Sequence, residues 1–241
     1  LLMQILSNGW HVPDQDEKML NHVKGDVTKD SPNYEKRQRL VIEQEHPNKK
    51  TFLDVGANIG VWSLAMQRQF EKVIAFEPST KNLECLYSNW DGEIREYAVG
   101  DVNSTVVFKD SAKNCGNGKV RLDLSLEGSA YEVKMVKLDD QNITDCSLIK
   151  IDVQGFEWQV IQGAKNLIET QLPWVTVEPN KDINHMVEFF FNRGYKFVEV
   201  KSKRTFIFAP TSGPNCPREH AFGIRPSTQL VLDEHNIEVT Q

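Results

Sequence analysis

The run Thr51-Phe52-Leu53-Asp54-Val55-Gly56-Ala57-Asn58-Ile59-Gly60 constrains the fold more than any other stretch of the 241 residues. It reads as a short buried strand, Thr51 to Val55, entering a glycine-containing turn and then a helix from about Val61. Gly56 and Gly60 permit backbone angles that a Cβ forbids, and they let a ligand approach the main chain. The free N–H groups at the start of the next helix face that ligand. Strand–turn–helix units of this kind hold nucleotide-like ligands at the carboxyl ends of strands in open α/β sheets. Lys72-Val73-Ile74-Ala75-Phe76-Glu77 is a second buried-strand pattern, and its terminal acid stands 21 residues after Gly56. At about that distance a second strand presents a carboxylate to ribose hydroxyls.

The turn chemistry narrows the ligand. Gly-Ala-Asn-Ile-Gly lacks the middle glycine that admits a pyrophosphate, and Asp54 would repel one. This disfavours a nicotinamide dehydrogenase. An acid at that place suits a cation, such as the amino or sulfonium group of S-adenosylmethionine.

Net charge is −6, which argues against a nucleic-acid partner, because phosphate binding needs a basic face. Two local basic clusters, Lys36/Arg37/Arg39 and Lys201/Lys203/Arg204, read as solvated faces. The cysteines, Cys85, Cys115, Cys146 and Cys216, are widely spaced with no Cys-x-x-Cys. That spacing supports neither a zinc site nor a disulfide framework and suits a reducing compartment. No apolar run approaches the ~20 residues of a spanning helix, so a cytoplasmic protein with no membrane partner and no metal is expected, in the host cytoplasm if the source is viral.

Three regions are expected. Residues 1–50 are polar, with an irregular Trp10–Asp14 segment and helical patterns at Asp16–Val23 and Tyr34–Glu45, the latter with Leu40 and Val41 on one side. They form an N-terminal lid or substrate wall. Residues 51–210 carry the α/β rhythm, interrupted at 102–146 by alternating, antiparallel-type patterns (Thr105–Phe108, Tyr131–Val136) around an Asn/Gly loop, Asn114–Gly118. Pro78 suits the first turn of a helix running to about Trp90, and Glu93–Ala98 forms a third strand. Further strands are expected at Ser147–Asp152, Pro173–Glu178, Tyr195–Val200 and Arg204–Phe208, and helices at Glu157–Glu169 and Asp182–Arg193, the latter capped by Gly194. The tight spacing at the end favours an antiparallel last strand. Residues 211–241 form a C-terminal extension.

A second informative run, Leu148-Ile149-Lys150-Ile151-Asp152-Val153-Gln154-Gly155-Phe156-Glu157, ends the fourth core strand with Asp152 at the ligand edge. Glu157 opens the following helix, where an acid is favoured by about 0.3–1 kcal/mol.

Five motifs in order, Phe52–Gly60, Ala75–Pro78, Ala98–Asp101, Val136–Asp140 and Lys150–Glu157, resemble the FkbM family of S-adenosylmethionine-dependent methyltransferases over about residues 51 to 180. The Trp10–Asp14 and Tyr34 regions look like a viral, phage or environmental branch. The resemblance implies a Rossmann-like class I fold: a seven-stranded, mostly parallel sheet with helices on both faces and an antiparallel last strand. It implies that Asp54, Gly56, Ala57, Asn58, Ile59 and Gly60 surround the methionine moiety and that Glu77 takes the ribose hydroxyls. It further implies that Pro78 and Ala98 to Asp101 (Ala98, Val99, Gly100, Asp101) border the adenine, that Ser79 is a further cofactor-binding position, and that Asp152 faces the methyl group. The family usually has Glu where Gln154 stands, which leaves that acid's role without a bearer here.

The family usually methylates a hydroxyl oxygen. An ordinary carboxylate lies roughly 12 pKa units below an alcohol, or about 16 kcal/mol. The proton therefore leaves as the new bond forms, with Asp152, Glu178 or His185 as candidate base and His11 as a remote one. Four functions follow: O-methylation of a small molecule or glycan; methylation of an RNA ribose 2′-oxygen, with Asp152 joined by Lys36 or Lys181; a non-catalytic nucleoside-binding module; and, least, the dehydrogenase disfavoured above.

Overall fold

The computed structural model describes residues 3–14, 16–111, 114–121, 130–198, 205–223 and 233. The chain opens with a hairpin, β1 (Met3–Ile5) and β2 (His11–Pro13), then α1 (Glu17–Val23) and α2 (Lys36–Glu45). The central layer follows as β3 (Thr51–Val55), α3 (Val61–Met66), β4 (Lys72–Phe76), α4 (Thr80–Asn89) and β5 (Glu93–Arg95). Next come β6 (Ala98–Val99), β7 (Ser104–Lys109), β8 (Lys119–Arg121) and β9 (Ala130–Val136). The chain then returns as β10 (Cys146–Ile151), α5 (Glu157–Gln162), α6 (Lys165–Gln171), β11 (Trp174–Val177), α7 (Ile183–Phe191), β12 (Tyr195–Phe197) and β13 (Phe206–Pro210).

Seven strands form one mixed sheet in the order β12-β13-β11-β10-β3-β4-β5. Strands β11, β10, β3, β4 and β5 are parallel, and β13 runs antiparallel to both its neighbours. The order reverses beside β3, so the carboxyl ends of β3 and β10 border a crevice, the usual ligand position of such sheets.

Side chains alternate across a strand, and the two cores follow that alternation. Leu53, Val55, Ile149, Ile151, Val175 and Val177 face α5, α6 and α7. Phe52, Ala75, Leu148, Trp174 and Ile207 face α1 to α4. The parity that buries Phe52 and Leu148 on the second face also sends Asp54 and Lys150 there. Register completes the row: Lys150 pairs with Asp54 on one side and Thr176 on the other.

The N-terminal segment packs against that second face. Trp10 anchors it: the residue is fully buried and its indole donates to Asp26 at 3.0 Å. The Trp10–Asp14 stretch is a hairpin strand rather than irregular chain, tied to α4 by Asn89, which accepts from His11 N at 2.8 Å and donates to its carbonyl at 2.9 Å. In α2 the buried side is Gln38, Arg39 and Ile42, and Leu40 is exposed. Of the expected pair, Val41 packs against the core and Leu40 does not.

Other boundaries differ for local reasons. Ser79, not Pro78, starts α4, because its hydroxyl accepts from Asn82 N. The third strand splits at Glu96 and Tyr97: β5 stays in the main sheet, while β6 joins a four-stranded sheet ordered β6-β9-β7-β8. In that sheet β7 and β9 pair antiparallel, as the alternation indicates. The helix expected over 157–169 breaks at Gly163, where a Cβ would stand 1.8 Å from the Gly100 carbonyl oxygen. Its second half is capped by Asp139, which accepts from Asn166 N at 3.1 Å and Leu167 N at 2.8 Å. The C-terminal calls at 199–204 and 224–232 lie outside the described residues. Among the described residues no helix is long and apolar enough to cross a membrane.

Candidate active site

The turn after β3 takes the shape its glycines permit. Gly56 has φ +80°, and a Cβ there would stand 2.0 Å from the Asp152 carbonyl oxygen. Asn58, also left-handed at φ 54°, aims its N–H at Glu77 Oε2, 2.7 Å away. Glu77 Oε1 accepts from Ser79 N at 2.9 Å and Asn82 Nδ2 at 3.2 Å. Glu77 is 3% exposed. Burial pushes its carboxyl up to about 7, against the opposing pull of those donors and of Lys150.

Glu77 stands in the wall of a cleft that opens to solvent. Gly56, Asn58, Pro78, Ala98, Val99 and Asp152 line it. Its roof comes from the Asn/Gly loop: Cys115, Gly116 and Gly118. Three contacts hold that roof: Asp16 accepts from Cys115 N, Asn82 donates to the Cys115 carbonyl at 3.2 Å, and the Cys115 thiol donates to Asn58 Oδ1 at 3.0 Å.

A second, much smaller cavity, of about 10 Å³, lies beyond Asp152. Glu35, Trp62, Lys150, Asp152, Thr176, Glu178 and Thr205 are among its walls. Asp152 belongs to both spaces. Its Oδ1 accepts from Gln154 Nε2 at 2.9 Å, and Lys150 Nζ stands 3.8 Å from Oδ2. Lys150 also pairs with Asp54 Oδ1 at 3.2 Å and donates to the Gly56 carbonyl at 3.0 Å. Burial opposes the Lys150 charge, but Asp54, Asp152 and Glu35 outweigh it and hold the ammonium well above its ordinary range. Glu178 is pushed up to about 7 by burial first, then by the charges of Asp152 and Glu35. Glu35 is raised by burial, against Lys150 and a 2.7 Å hydrogen bond from Trp62 Nε1.

Several sequence-expected site residues stand elsewhere. Asp54 is fully buried beneath the turn, accepting from Ser63 Oγ at 2.7 Å and paired with Lys150, so its charge is answered inside the protein. Ala57 and Ile59 point into the core under α3 and α4. Gly60 opens α3 against Leu86. The Ser79 hydroxyl caps α4 and donates to Asp110 Oδ1 at 2.6 Å. Asp101 is exposed and outside the cleft wall. His185 lies on an exposed face of α7, its ring 5.6 Å from that of Trp158, and borders neither cavity. Glu157 is a clamp: it accepts from Gly155 N at 3.0 Å and from Asn180 Nδ2.

Residues 54–197 match the family described as the methyltransferase FkbM domain, more than half of the chain. The chain belongs to the FkbM methyltransferase family. The chain is 27% identical over 158 residues to the methyltransferase sdnD of Sordaria araneosa, covering 48% of this chain and 61% of that one. The crystal structure of the methyltransferase FkbM from Methylobacillus flagellatus KT gives a TM-score of 0.49 at 19% identity, over 68% of this chain and 44% of that one. A ribosomal protein L11 methylase from Lactobacillus delbrueckii subsp. bulgaricus gives 0.45 at 11%, over 71% and 75%. The chain thus spans less than two thirds of the length of sdnD and of the Methylobacillus protein.

Sequence reasoning missed Glu35, Trp62 and Asn82. Asn82 had a readable cue, five residues past Glu77 in the first turn of α4. Glu35 and Trp62 had none: only the tertiary fold brings them together beside Lys150 of β10. Among the described residues there is no group of three or more His, Cys, Asp or Glu arranged to hold a metal.

Proposed function

We propose that this chain is an S-adenosylmethionine-dependent methyltransferase acting on a hydroxyl oxygen of a small molecule or glycan. The observation that carries the reading is the pair of cavities meeting at Asp152, one beside Glu77 and one beside Glu178. The first fits an adenosyl group: Glu77 supplies a carboxylate, and the buried Asn82 Oδ1 in its wall has no hydrogen-bond partner among the described residues. A ligand with hydroxyl donors answers both. When bound, the cofactor supplies an electrophilic sulfonium methyl.

The rest is done by the chain's own side chains. Methyl transfer is an in-line displacement, so alignment of the acceptor is the main task. Asp152, fixed by Gln154 and Lys150, marks the junction across which the two ligands meet. Glu178 is the general base. At about 7 it narrows the gap to an alcohol to roughly 9 pKa units, about 12 kcal/mol, instead of 16. The gap still requires proton loss in step with methyl transfer. Lys150 stays a cation shared among acids and does not take the proton. The carboxylates of Glu35, Asp152 and Glu178 disfavour a phosphate-bearing acceptor, which favours a small molecule or glycan over RNA.

The test is transfer of labelled methyl from the cofactor to a panel of hydroxylated compounds. Glu178→Gln should lower kcat by about 10²–10⁴ while the affinity for S-adenosylhomocysteine stays unchanged. Equal turnover by E178Q removes Glu178 as base, and absence of any cofactor binding removes the whole reading.

A further inference from the structure

The acceptor sites around Glu77 can be counted. A carboxylate offers about four lone-pair positions. Oε1 already receives Ser79 N at 2.9 Å and Asn82 Nδ2 at 3.2 Å. Oε2 receives Asn58 N at 2.7 Å. One position is left. A ribose with its 2′- and 3′-hydroxyls brings two donors, so Glu77 in this protein cannot take both without giving up a bond that shapes the turn.

The second acceptor is next to it. The Asn82 side chain is 3% exposed. Its amide orientation is fixed by two acceptors, Glu77 Oε1 and the Cys115 carbonyl, each 3.2 Å from Nδ2. A flipped amide would set its oxygen against both. Oδ1 is therefore the free atom, buried and with no partner among the described residues, and the residue forms part of the cleft wall. A buried acceptor without a donor costs about 1–3 kcal/mol. A ligand hydroxyl removes that cost.

We infer that the ribose diol of the cofactor is divided, one hydroxyl donating to Glu77 Oε2 and the other to Asn82 Oδ1, so that Asn82 is a cofactor-binding residue in its own right. The inference rests on reading the cleft as the adenosyl site. It also explains why Asn82 reaches the Cys115 carbonyl: the same side chain that takes a hydroxyl holds the loop over it.

The experiment measures affinities of S-adenosylhomocysteine and its 2′-deoxy and 3′-deoxy analogues by calorimetry. In the wild-type protein each analogue should bind about tenfold more weakly than the parent. In Asn82→Ala the parent should weaken by about tenfold. One analogue should then bind N82A as well as the parent does, while the other still shows its loss. A uniform loss for all three ligands in N82A overturns the inference, since that is what a residue merely holding Glu77 in place would give. If N82A does not fold, Asn82→Ser shortens the side chain without setting a carboxylate against Glu77 Oε1 and the Cys115 carbonyl. It should lose discrimination against one analogue and keep it against the other, and discrimination kept against both overturns the proposal. Failure of the wild-type protein to bind the parent ligand is a different result, and it strikes the reading of the cleft itself.

Discussion

The two cavities that meet at Asp152 are built in different ways. The cleft beside Glu77 is local: one turn after β3, the tip of β4, the start of α4 and a roof loop, joined largely through backbone N–H groups. The cavity beside Glu178 is assembled from distant parts of the chain: Glu35 from the N-terminal segment, Trp62 from α3, Lys150 from β10, Glu178 from beyond β11. The first is held by hydrogen bonds to one carboxylate. The second is held by charge balance around one lysine. Damage to the first should therefore show in ligand affinity, and damage to the second in stability and turnover.

The largest effect should come from Lys150. Its ammonium answers Asp54, which is fully buried. Removing one partner of a buried pair leaves an uncompensated charge, and this costs about 3–5 kcal/mol. Lys150→Met should lose that much in chemical denaturation near neutral pH. The double variant Asp54→Asn/Lys150→Met should recover most of it, since replacing both partners by neutral groups is often nearly neutral. An unaltered midpoint for K150M would show that the second cavity does not depend on this charge balance.

This contrast also explains what could be read in advance. The strand tips carrying Gly56, Glu77 and Asp152 were legible because alternation, glycine placement and spacing are local signals. Asp54 was misjudged for a related reason. Its position at the strand end was clear, but its answering cation comes from β10, nearly a hundred positions later, and only the Lys150–Asp54 register reveals the pairing. His185 failed for the opposite reason: it sits near the ligand edge in chain order but on the outer face of α7 in space. Glu35 left no mark at all, because nothing in a polar N-terminal stretch distinguishes an acid that will be buried under Trp62 from one facing water. The break at Gly163 was hidden too, since it depends on contact with Gly100 rather than on the helix's own pattern.

The first cavity can be challenged directly. Glu77→Ala removes the acceptor of Asn58 N, Ser79 N and the ligand at once, and hydrogen bonds to a charged acceptor contribute about 1.5–3 kcal/mol each. Affinity for S-adenosylhomocysteine should fall by at least tenfold in calorimetry, with the denaturation midpoint less affected than in K150M. Unchanged binding would sink the assignment of Glu77.

Next in size is a pH effect confined to the same cavity. In the free protein Glu77 holds its proton until about pH 7. Hydroxyl donors favour the ionised form, so binding releases a proton below that pH. Affinity for S-adenosylhomocysteine should be flat above about pH 8 and fall by up to about tenfold between pH 8 and 6. Glu178 titrates in the same range, but it belongs to the other cavity. The ligand is a product, so no turnover confuses the reading. A pH-independent affinity would mean that Glu77 keeps its charge in the free protein.

The smallest effect tests whether the two cavities are separable at all. Trp62 Nε1 donates to Glu35 Oε2 at 2.7 Å, and the Trp62 ring also packs on Phe52. Trp62→Phe keeps an aromatic ring and deletes the donor. A hydrogen bond to a partly buried carboxylate is worth about 1.5–3 kcal/mol when made, with water replacing some of it at an open cavity. Glu35 would then turn within the second cavity, and the KM for whichever hydroxyl acceptor the panel identifies should rise by roughly 2- to 10-fold. The affinity for S-adenosylhomocysteine should not move, because Trp62 borders the second cavity and not the first. A shift in cofactor affinity of the same size would show that strain passes through Lys150 and Asp152 from one cavity to the other. In that case locally built and remotely built halves would be a single cooperative site.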